Sequence, residues 1–182
     1  KKGFNINVEM GAGKRSFFSD DDYIQSGANI ISTAKELYDS ADLVIKVNPP
    51  EMNNEEGKHE VELMKSKSVF ISFIQTTKDL DEVKKLQEKN ITAFSMHLVP
   101  RTTLAQKMDA LSSQSNIAGY KAVLIGASHI AKYMPLLMTA AGTIKPSKTL
   151  VIGAGVAGLQ AIATAKRLGA QVSAFDVRPI VK

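Results

Sequence analysis

The segment 148–176 constrains the fold of this chain more than any other part of it. A short β-prone apolar run, 149–152, leads into three glycines with the spacing G-x-G-x-x-G at positions 153, 155 and 158. An apolar helix face follows, and a second β-prone run ends at Asp176. This order predicts a parallel βαβ unit whose helix begins at the glycines.

The spacing of the glycines also predicts a ligand. Gly153 would make the tight turn, Gly155 would let the backbone approach a pyrophosphate, and Gly158 would let the helix pack close to the strand. The helix N-terminus would receive the phosphates. Asp176 follows at about 20 residues, where a carboxylate accepts hydrogen bonds from adenosine ribose hydroxyls. A dinucleotide is therefore expected. NAD is favoured over NADP because a carboxylate repels a 2′-phosphate, although Arg178 leaves NADP open. The competing interpretation is a glycine-containing βα turn with a surface Asp.

Upstream of the glycines, short apolar runs alternate with helical patterns. Such alternation predicts an α/β fold with parallel sheets and helices on their faces. The predicted strands are 4–8, 29–31, 43–47, 69–74 and 91–95, and the predicted helices are 19–27, 33–39, 54–64 and 80–89.

The chain is expected to hold two Rossmann-like lobes. Residues 1–111 would form an N-terminal α/β lobe whose start is missing. Residues 112–182 would form a connecting helix and the first βαβ of a second, truncated lobe, because only six residues follow Asp176. Residues 111–116 would cap the connecting helix. The apolar segment 117–144 is interrupted by Lys132 and Pro135, which favours a long buried helix over a membrane span.

Composition excludes several classes of site. The chain has no cysteine, so a disulfide scaffold, a thiolate metal site and a cysteine nucleophile are excluded. The net charge is +5, but most lysines stand beside acidic residues, which indicates a solvated surface rather than a nucleic-acid-binding patch. His59, His97 and His129 lack the spacing of metal ligands, so no metal site is expected and surface or packing roles are favoured. His97 borders the cleft expected between the lobes.

The polar segment 96–120 carries a resemblance to a known family. Together with 153–158 and 175–179, it closely resembles the NAD-binding domain, domain I, of the proton-translocating nicotinamide nucleotide transhydrogenases. The similarity covers almost the whole chain. It implies an NAD(H) site on this chain and an NADP(H) site on a partner domain.

The resemblance also implies individual site residues. In that family an Arg, a Gln and an Asp of this loop contact the nicotinamide end of NAD and the opposing domain, and Arg101, Gln106 and Asp109 match them. Ser112 matches a serine that touches the dinucleotide. The positions that match the pyrophosphate turn and the ribose site are Ala154, Gly155, Val156, Asp176, Val177 and Arg178.

The implied reaction is direct hydride transfer from NADH to NADP⁺, held face to face by two domains. Both cofactors supply the reacting carbons, so Arg101, Gln106 and Asp109 would be positioning groups rather than proton-transfer catalysts. Proton translocation would come from a transmembrane domain of the same enzyme. The family also implies a homodimer and a soluble domain peripheral to the bacterial plasma membrane or the mitochondrial inner membrane.

Two other functions stay open on the sequence. Alanine dehydrogenase has a similar two-lobe plan, and its substrate-binding lysine falls in a context similar to Lys46. Its catalytic histidine would fall near Gln75, where this chain has none, and Lys46 also fits a sheet-end lysine paired with a carboxylate. A non-catalytic NAD-binding module fits Asp176 equally well. For Arg101 and Asp109, the structural alternative is a salt bridge between the lobes.

Overall fold

The computed structural model describes residues 3–179, which form two compact units that divide between Val99 and Pro100. The sequence predicted a boundary at 111–112, and that boundary stays a prediction. Each unit has parallel β-structure with helices, so the predicted α/β class is confirmed.

The first unit alternates strands and helices as the sequence predicted. Its elements are β1 (Asn7–Glu9), α1 (Asp20–Gln25), β2 (Asn29–Ile31), α2 (Ala34–Ser40), β3 (Leu43–Ile45), β4 (Met52–Asn53), β5 (Lys58–His59), α3 (Glu60–Leu63), β6 (Val69–Ser72), α4 (Leu80–Glu88) and β7 (Thr92–Ser95). The strand order β3-β6-β7 gives a parallel sheet, and β1 pairs with β2 in parallel. Consecutive parallel strands therefore end at one edge, where the polar groups of this unit collect.

Local side-chain chemistry sets the helix starts in this unit. Ser19 and Asp22 form a capping box at the start of α1, and Thr33 accepts a hydrogen bond from the Glu36 N–H at the start of α2. Gly27, with φ of +89°, follows α1 as the predicted stop.

The predicted helix over 54–64 is wrong. An antiparallel hairpin of β4 and β5 occupies its first half, and only Glu60–Leu63 are helical. Asn53 explains the difference, because its side-chain oxygen accepts hydrogen bonds from the backbone N–H groups of Glu55 and Glu56. Gly57, with φ of +62°, completes the turn. The acidic run looked helical, but this turn chemistry overrides its propensity.

A single apolar cluster holds the first unit together. Phe70 on β6 is fully buried at its centre, and Leu86 brings the apolar face of α4 against it. The predicted strand 69–74 thus supplies the middle of the core, as its continuous apolar run indicated. The buried residues of the cluster are Ala34, Tyr38, Val44, Val61, Leu63, Met64, Phe70, Ile74, Leu86 and Ile91.

The second unit contains a helix, a hairpin and a βαβ unit. Its elements are a 3₁₀ helix (Thr103–Met108), α5 (Ala110–His129), β8 (Leu137–Thr139), β9 (Gly142–Ile144), β10 (Lys148–Ile152), α6 (Val156–Arg167) and β11 (Gln171–Phe175). Strands β10 and β11 are parallel, and their register pairs Lys148 with Gln171 and Ile152 with Phe175. The predicted strand, glycine turn, helix and strand are therefore confirmed.

The connecting helix differs from its prediction at both ends. Residues 111–116 lie inside α5 rather than capping it, since the N-cap is Asp109. The helix ends at His129, and the antiparallel hairpin of β8 and β9 replaces the second half of the predicted helix 117–144. Within α5 only Gly119 and Val123 are buried in this structure, so the prediction of a buried helix is also wrong.

Helices α5 and α6 approach each other most closely at Gly119. A Cβ atom added there would lie 2.1 Å from the carbonyl oxygen of Ala157, in the first turn of α6. A side-chain hydrogen bond from Asn116 Nδ2 to Gln160 Oε1, 3.1 Å, extends the same contact. Only glycine fits at position 119 without separating the two backbones.

We predict that Gly119→Ala destabilises the protein by about 1 to 3 kcal/mol, because the added methyl group must push α6 away. Gly126→Ala is the matched control on the same helix, since its Cβ would meet nothing within 4 Å. It should instead raise stability by about 0.5 to 1 kcal/mol through helix propensity. Urea denaturation followed by circular dichroism measures both, and equal effects would contradict the close helix contact.

Candidate functional site

The glycine turn between β10 and α6 is the centre of the candidate site. Gly153 has φ of +97°, a conformation that favours glycine, and its N–H donates to the carbonyl oxygen of Phe175 at 2.7 Å. A Cβ atom at Gly158 would lie 1.7 Å from the Gly153 carbonyl oxygen. The backbone conformation therefore requires glycine at 153, and helix packing requires it at 158.

Neither reason applies to Gly155. Its φ is −77°, which any residue adopts, and the nearest atom to an added Cβ is Arg178 Nη2, at 3.7 Å. A side chain would fit here among the described residues, and it would fill the space in front of the turn. The sequence expectation that a ligand approaches the backbone at this position accounts for a glycine that the chain itself does not need.

The N-terminus of α6 faces the same space. The first bond of the helix ladder is donated by Leu159 N to Gly155 O at 2.8 Å. The N–H groups of Val156, Ala157 and Gly158 precede that ladder and have no acceptor within a regular helix. Three N–H groups at the positive end of a 12-residue helix suit an anionic group such as a phosphate.

Asp176 joins the end of β11 to the glycine turn. The residue is 7% exposed, and its Oδ2 accepts a hydrogen bond from the N–H of Ala154 at 2.7 Å. Arg178 supplies three more bonds: its backbone N–H and Nε donate to Oδ1 at 2.8 and 2.9 Å, and Nη2 donates to Oδ2 at 2.9 Å. Asp176 is therefore not the surface Asp of the competing interpretation.

These donors stabilise the ionised carboxylate. Hydrogen bonds from the Arg178 side chain lower the pKa of Asp176 most, followed by those from the N–H groups of Arg178 and Ala154. Arg178 keeps more than half of its side chain exposed, and neighbouring Val177 is exposed as well. The carboxylate is thus charged, oriented and adjacent to the turn.

The predicted Arg101, Gln106 and Asp109 lie around the 3₁₀ helix. Arg101 and Gln106 are exposed, whereas Asp109 caps α5 by accepting from the Ser112 N–H at 2.9 Å and the Ser112 hydroxyl at 2.6 Å. Those two bonds lower the pKa of Asp109, and the charge of Arg101 adds to the effect. Within residues 3–179, no hydrogen bond or ion pair joins these three residues to the glycine turn.

The structure thus brings Asp109 and Ser112 together and gives them a local structural role that the sequence interpretation missed. An Asp three residues ahead of Ser at the start of an alanine- and leucine-containing run was the available signal for an N-cap. Their predicted contact with the dinucleotide stays a prediction.

Lys46, which follows β3, lies in an ion-pair network of the first unit. Its Nζ is 2.6 Å from Glu60 Oε2 and 3.1 Å from Glu51 Oε1. The Glu60 side chain is 9% exposed and also accepts from the Glu51 N–H. Burial, and then the charge of Glu60, raise the pKa of neighbouring Tyr38 above its usual range. The interpretation of Lys46 as a sheet-end lysine paired with a carboxylate is confirmed.

The three histidines have packing and capping contacts. His59 is not in a helix as predicted, but buried at the end of β5, with Nε2 2.9 Å from Glu82 Oε2 and Nδ1 accepting from the Val61 N–H. The His97 ring packs edge-on against Phe73. His129 Nδ1 lies 2.8 Å from the Ile125 carbonyl oxygen. In the part of the chain that the structure describes, no group of three or more acidic or histidine residues could hold a metal ion.

Comparison with known proteins gives two matches to family models. Residues 1–118 match the model described as the alanine dehydrogenase/PNT N-terminal domain, and residues 122–182 match the alanine dehydrogenase/PNT C-terminal domain. The two matches together cover nearly the whole chain.

Individual relatives agree with the family models. The chain is 50% identical to the first portion of the NAD(P) transhydrogenase alpha subunit of Rhodospirillum rubrum over 180 residues, 99% of this chain and 47% of that protein. A crystal structure of transhydrogenase from Sinorhizobium meliloti superposes with a TM-score of 0.90 at 44% identity, covering 99% of this chain and 52% of the other. An L-alanine dehydrogenase structure gives 0.77 at 28% identity, covering 97% and 47%. The chain spans about half the length of these relatives.

We predict that Asp176→Asn lowers stability at pH 7, because it removes the charge that the Arg178 and Ala154 donors stabilise. The pKa of Asp176 is lowered from 3.8 in the folded state, so the carboxylate stabilises the fold above that pH and loses this effect as the pH falls below it. The stability difference between wild type and variant should therefore be constant from pH 7 to 5 and shrink below pH 4.

Urea denaturation at each pH measures that difference. Asp39→Asn, at an exposed position of α2, is the matched control and should leave stability unchanged. A difference for Asp176→Asn that persists undiminished at pH 2.5 would show that the carboxylate charge is unimportant to the turn.

Proposed function

We propose, on the premise that the chain belongs to the alanine dehydrogenase/PNT family, that it is the NAD(H)-binding part of a proton-translocating NAD(P) transhydrogenase. The observation that carries this proposal is the glycine turn with its tethered carboxylate, in a chain 50% identical to a transhydrogenase alpha subunit. Hydride would pass from NADH on this chain to NADP⁺ on a partner domain.

The glycine turn would hold the pyrophosphate and the adenosine ribose of NAD(H). Gly153 and Gly158 shape the turn, and Gly155 leaves space in front of it. Val156 begins the helix whose free N–H groups would face the phosphates. Ala154 already donates its N–H to Asp176, so its part in binding would be to fix the carboxylate.

Asp176 would bind the ribose hydroxyls, with Val177 and Arg178 beside it. A carboxylate whose pKa is lowered remains ionised at neutral pH and accepts hydrogen bonds from hydroxyl groups strongly. The same charge disfavours a 2′-phosphate, which supports NAD(H) rather than NADP(H) on this chain.

Arg101, Gln106 and Asp109 would position the nicotinamide end, and Ser112 would contact the dinucleotide. The two nicotinamide rings supply the donor and acceptor carbons, so the protein groups align the rings and exclude water. Arg101 and Gln106 are exposed and free to make such contacts. Asp109 would act through its fixed position at the start of α5.

The 3₁₀ helix gives support for a docking partner. Leu104 is 94% exposed and Met108 is also exposed, so this short segment presents apolar side chains beside the polar ones. We assign this surface to the NADP-binding domain. Among residues 3–179 no helix is long and apolar enough to cross a membrane. Proton translocation would therefore reside in a transmembrane domain of the same enzyme, with this chain at the surface of the bacterial plasma membrane or the mitochondrial inner membrane, as a homodimer.

An alanine dehydrogenase activity is the second candidate, favoured by the match of that structure at 28% identity. It would need a free cation for the substrate carboxylate. Lys46 is instead neutralised by Glu60 and Glu51, and Gln75 stands where a histidine would be needed. These contacts favour the transhydrogenase. A non-catalytic NAD-binding module would require only the glycine turn and Asp176, and would leave Arg101 and Gln106 without a role.

We predict that Gln106→Asn in the intact protein slows hydride transfer by about 10- to 100-fold, because the shorter side chain misplaces the nicotinamide ring by about one ångström. Affinity for NADH should change little, since the glycine turn and Asp176 are untouched. Stopped-flow transhydrogenation measures the rate, and NADH fluorescence measures binding.

Asp176→Ala is the complementary variant and should weaken NADH binding. A full transfer rate for Gln106→Asn would refute the positioning role of Gln106. Unchanged NADH binding by Asp176→Ala would refute the assignment of the dinucleotide to this turn.

A further inference from the structure

The carboxylate of Asp176 has no acceptor capacity left in this structure. An ionised carboxylate offers about four lone-pair positions, two on each oxygen. Four donors occupy them: the backbone N–H groups of Ala154 and Arg178, and the Nε and Nη2 groups of the Arg178 guanidinium. A ribose that is to bind Asp176 must therefore displace a donor.

The four donors differ in how easily they can leave. The N–H of Ala154 belongs to the glycine turn and that of Arg178 to the backbone after β11, so neither can move without rebuilding the turn. The guanidinium is held only by a side chain that is 57% exposed. It can rotate into solvent while both backbone bonds stay in place, and Asp176 then keeps its orientation.

Rotation of the guanidinium would free one acceptor position on each carboxylate oxygen. Nε donates to Oδ1 at 2.9 Å and Nη2 donates to Oδ2 at 2.9 Å, as a two-pronged fork. A vicinal diol also presents two adjacent donors, one for each oxygen. The fork of Arg178 and the ribose diol are thus alternative occupants of the same two positions.

We propose that the Arg178 guanidinium occupies the ribose-diol position of Asp176 in the free protein and is displaced when the adenosine ribose of the cofactor binds. This inference rests on the proposed function, because it needs the dinucleotide at this turn. Arg178 is then an affinity-determining residue that keeps Asp176 ionised and oriented before the cofactor arrives. Breaking its ion pair lowers the net affinity for any ligand that carries the diol.

The test compares two ligands that differ only in the diol, ADP and 2′,3′-dideoxy-ADP. Both carry the same phosphates, so any contact of Arg178 with phosphate cancels in the ratio of their dissociation constants. We expect Arg178→Gln in the intact protein to raise the preference for ADP over its dideoxy analogue by about two- to fivefold, the strength of an exposed ion pair. Competition against NADH fluorescence measures all four constants.

Two further variants separate the fork from its charge. Arg167→Gln removes the same charge from the exposed last turn of α6 and should leave the preference unchanged. Arg178→Lys keeps the charge but not the fork, and should raise the preference nearly as far as Arg178→Gln.

A measurement on the wild-type protein covers the case in which the variants fail to fold. The Nε–H resonance of Arg178 should be protected from exchange in the free protein, lose that protection with saturating ADP, and keep it with dideoxy-ADP. A preference that is unchanged or lower in Arg178→Gln, or an Nε–H that stays protected with ADP, would overturn the displacement. Failure of the wild type to bind ADP and NADH at all would instead overturn the proposed function.

Discussion

The contact between Gly158 and the Gly153 carbonyl oxygen is the constraint on which the second unit depends. A Cβ atom at 158 would lie 1.7 Å from that oxygen, so α6 can begin directly over the end of β10 only with glycine there. Gly119 permits an equally close approach from the other side, where α5 meets the Ala157 carbonyl oxygen. The first turn of α6 is therefore fixed between a strand and a helix, and the direction of its free N–H groups is fixed with it.

Hydrogen bonds from the neighbouring strand complete this arrangement. Gly153 N–H donates to the Phe175 carbonyl oxygen and Ala154 N–H donates to Asp176, so the ends of both strands and the start of α6 form one bonded unit. The carboxylate cannot move independently of the turn. A ligand that contacts both the helix N-terminus and Asp176 meets groups that are already positioned, and binding pays little for ordering them.

The sequence predicted best where several local signals coincide. The glycines, the strand before them and Asp176 fix the βαβ unit, and Ser19 with Gly27 fixes α1, because each is set by short-range geometry. Prediction failed where a side chain competes with helix propensity. Asn53 turns the chain before the acidic run can become helical, and Asp109 caps α5 ahead of the predicted start. The saturation of Asp176 by Arg178 depends on side-chain rotamers, which spacing alone does not reveal.

The two acidic centres of the chain show why one can bind a ligand and the other is closed. Glu60 is buried against Lys46, and separating them would leave an unpaired charge in a poorly solvated place, which is strongly unfavourable. Asp176 is equally hidden from solvent, but its partner Arg178 is exposed and loses little when it turns into water. Two backbone N–H groups continue to stabilise the carboxylate after that change. A replaceable cation over a fixed anion is a binding site, whereas two buried charges locked together are part of the core.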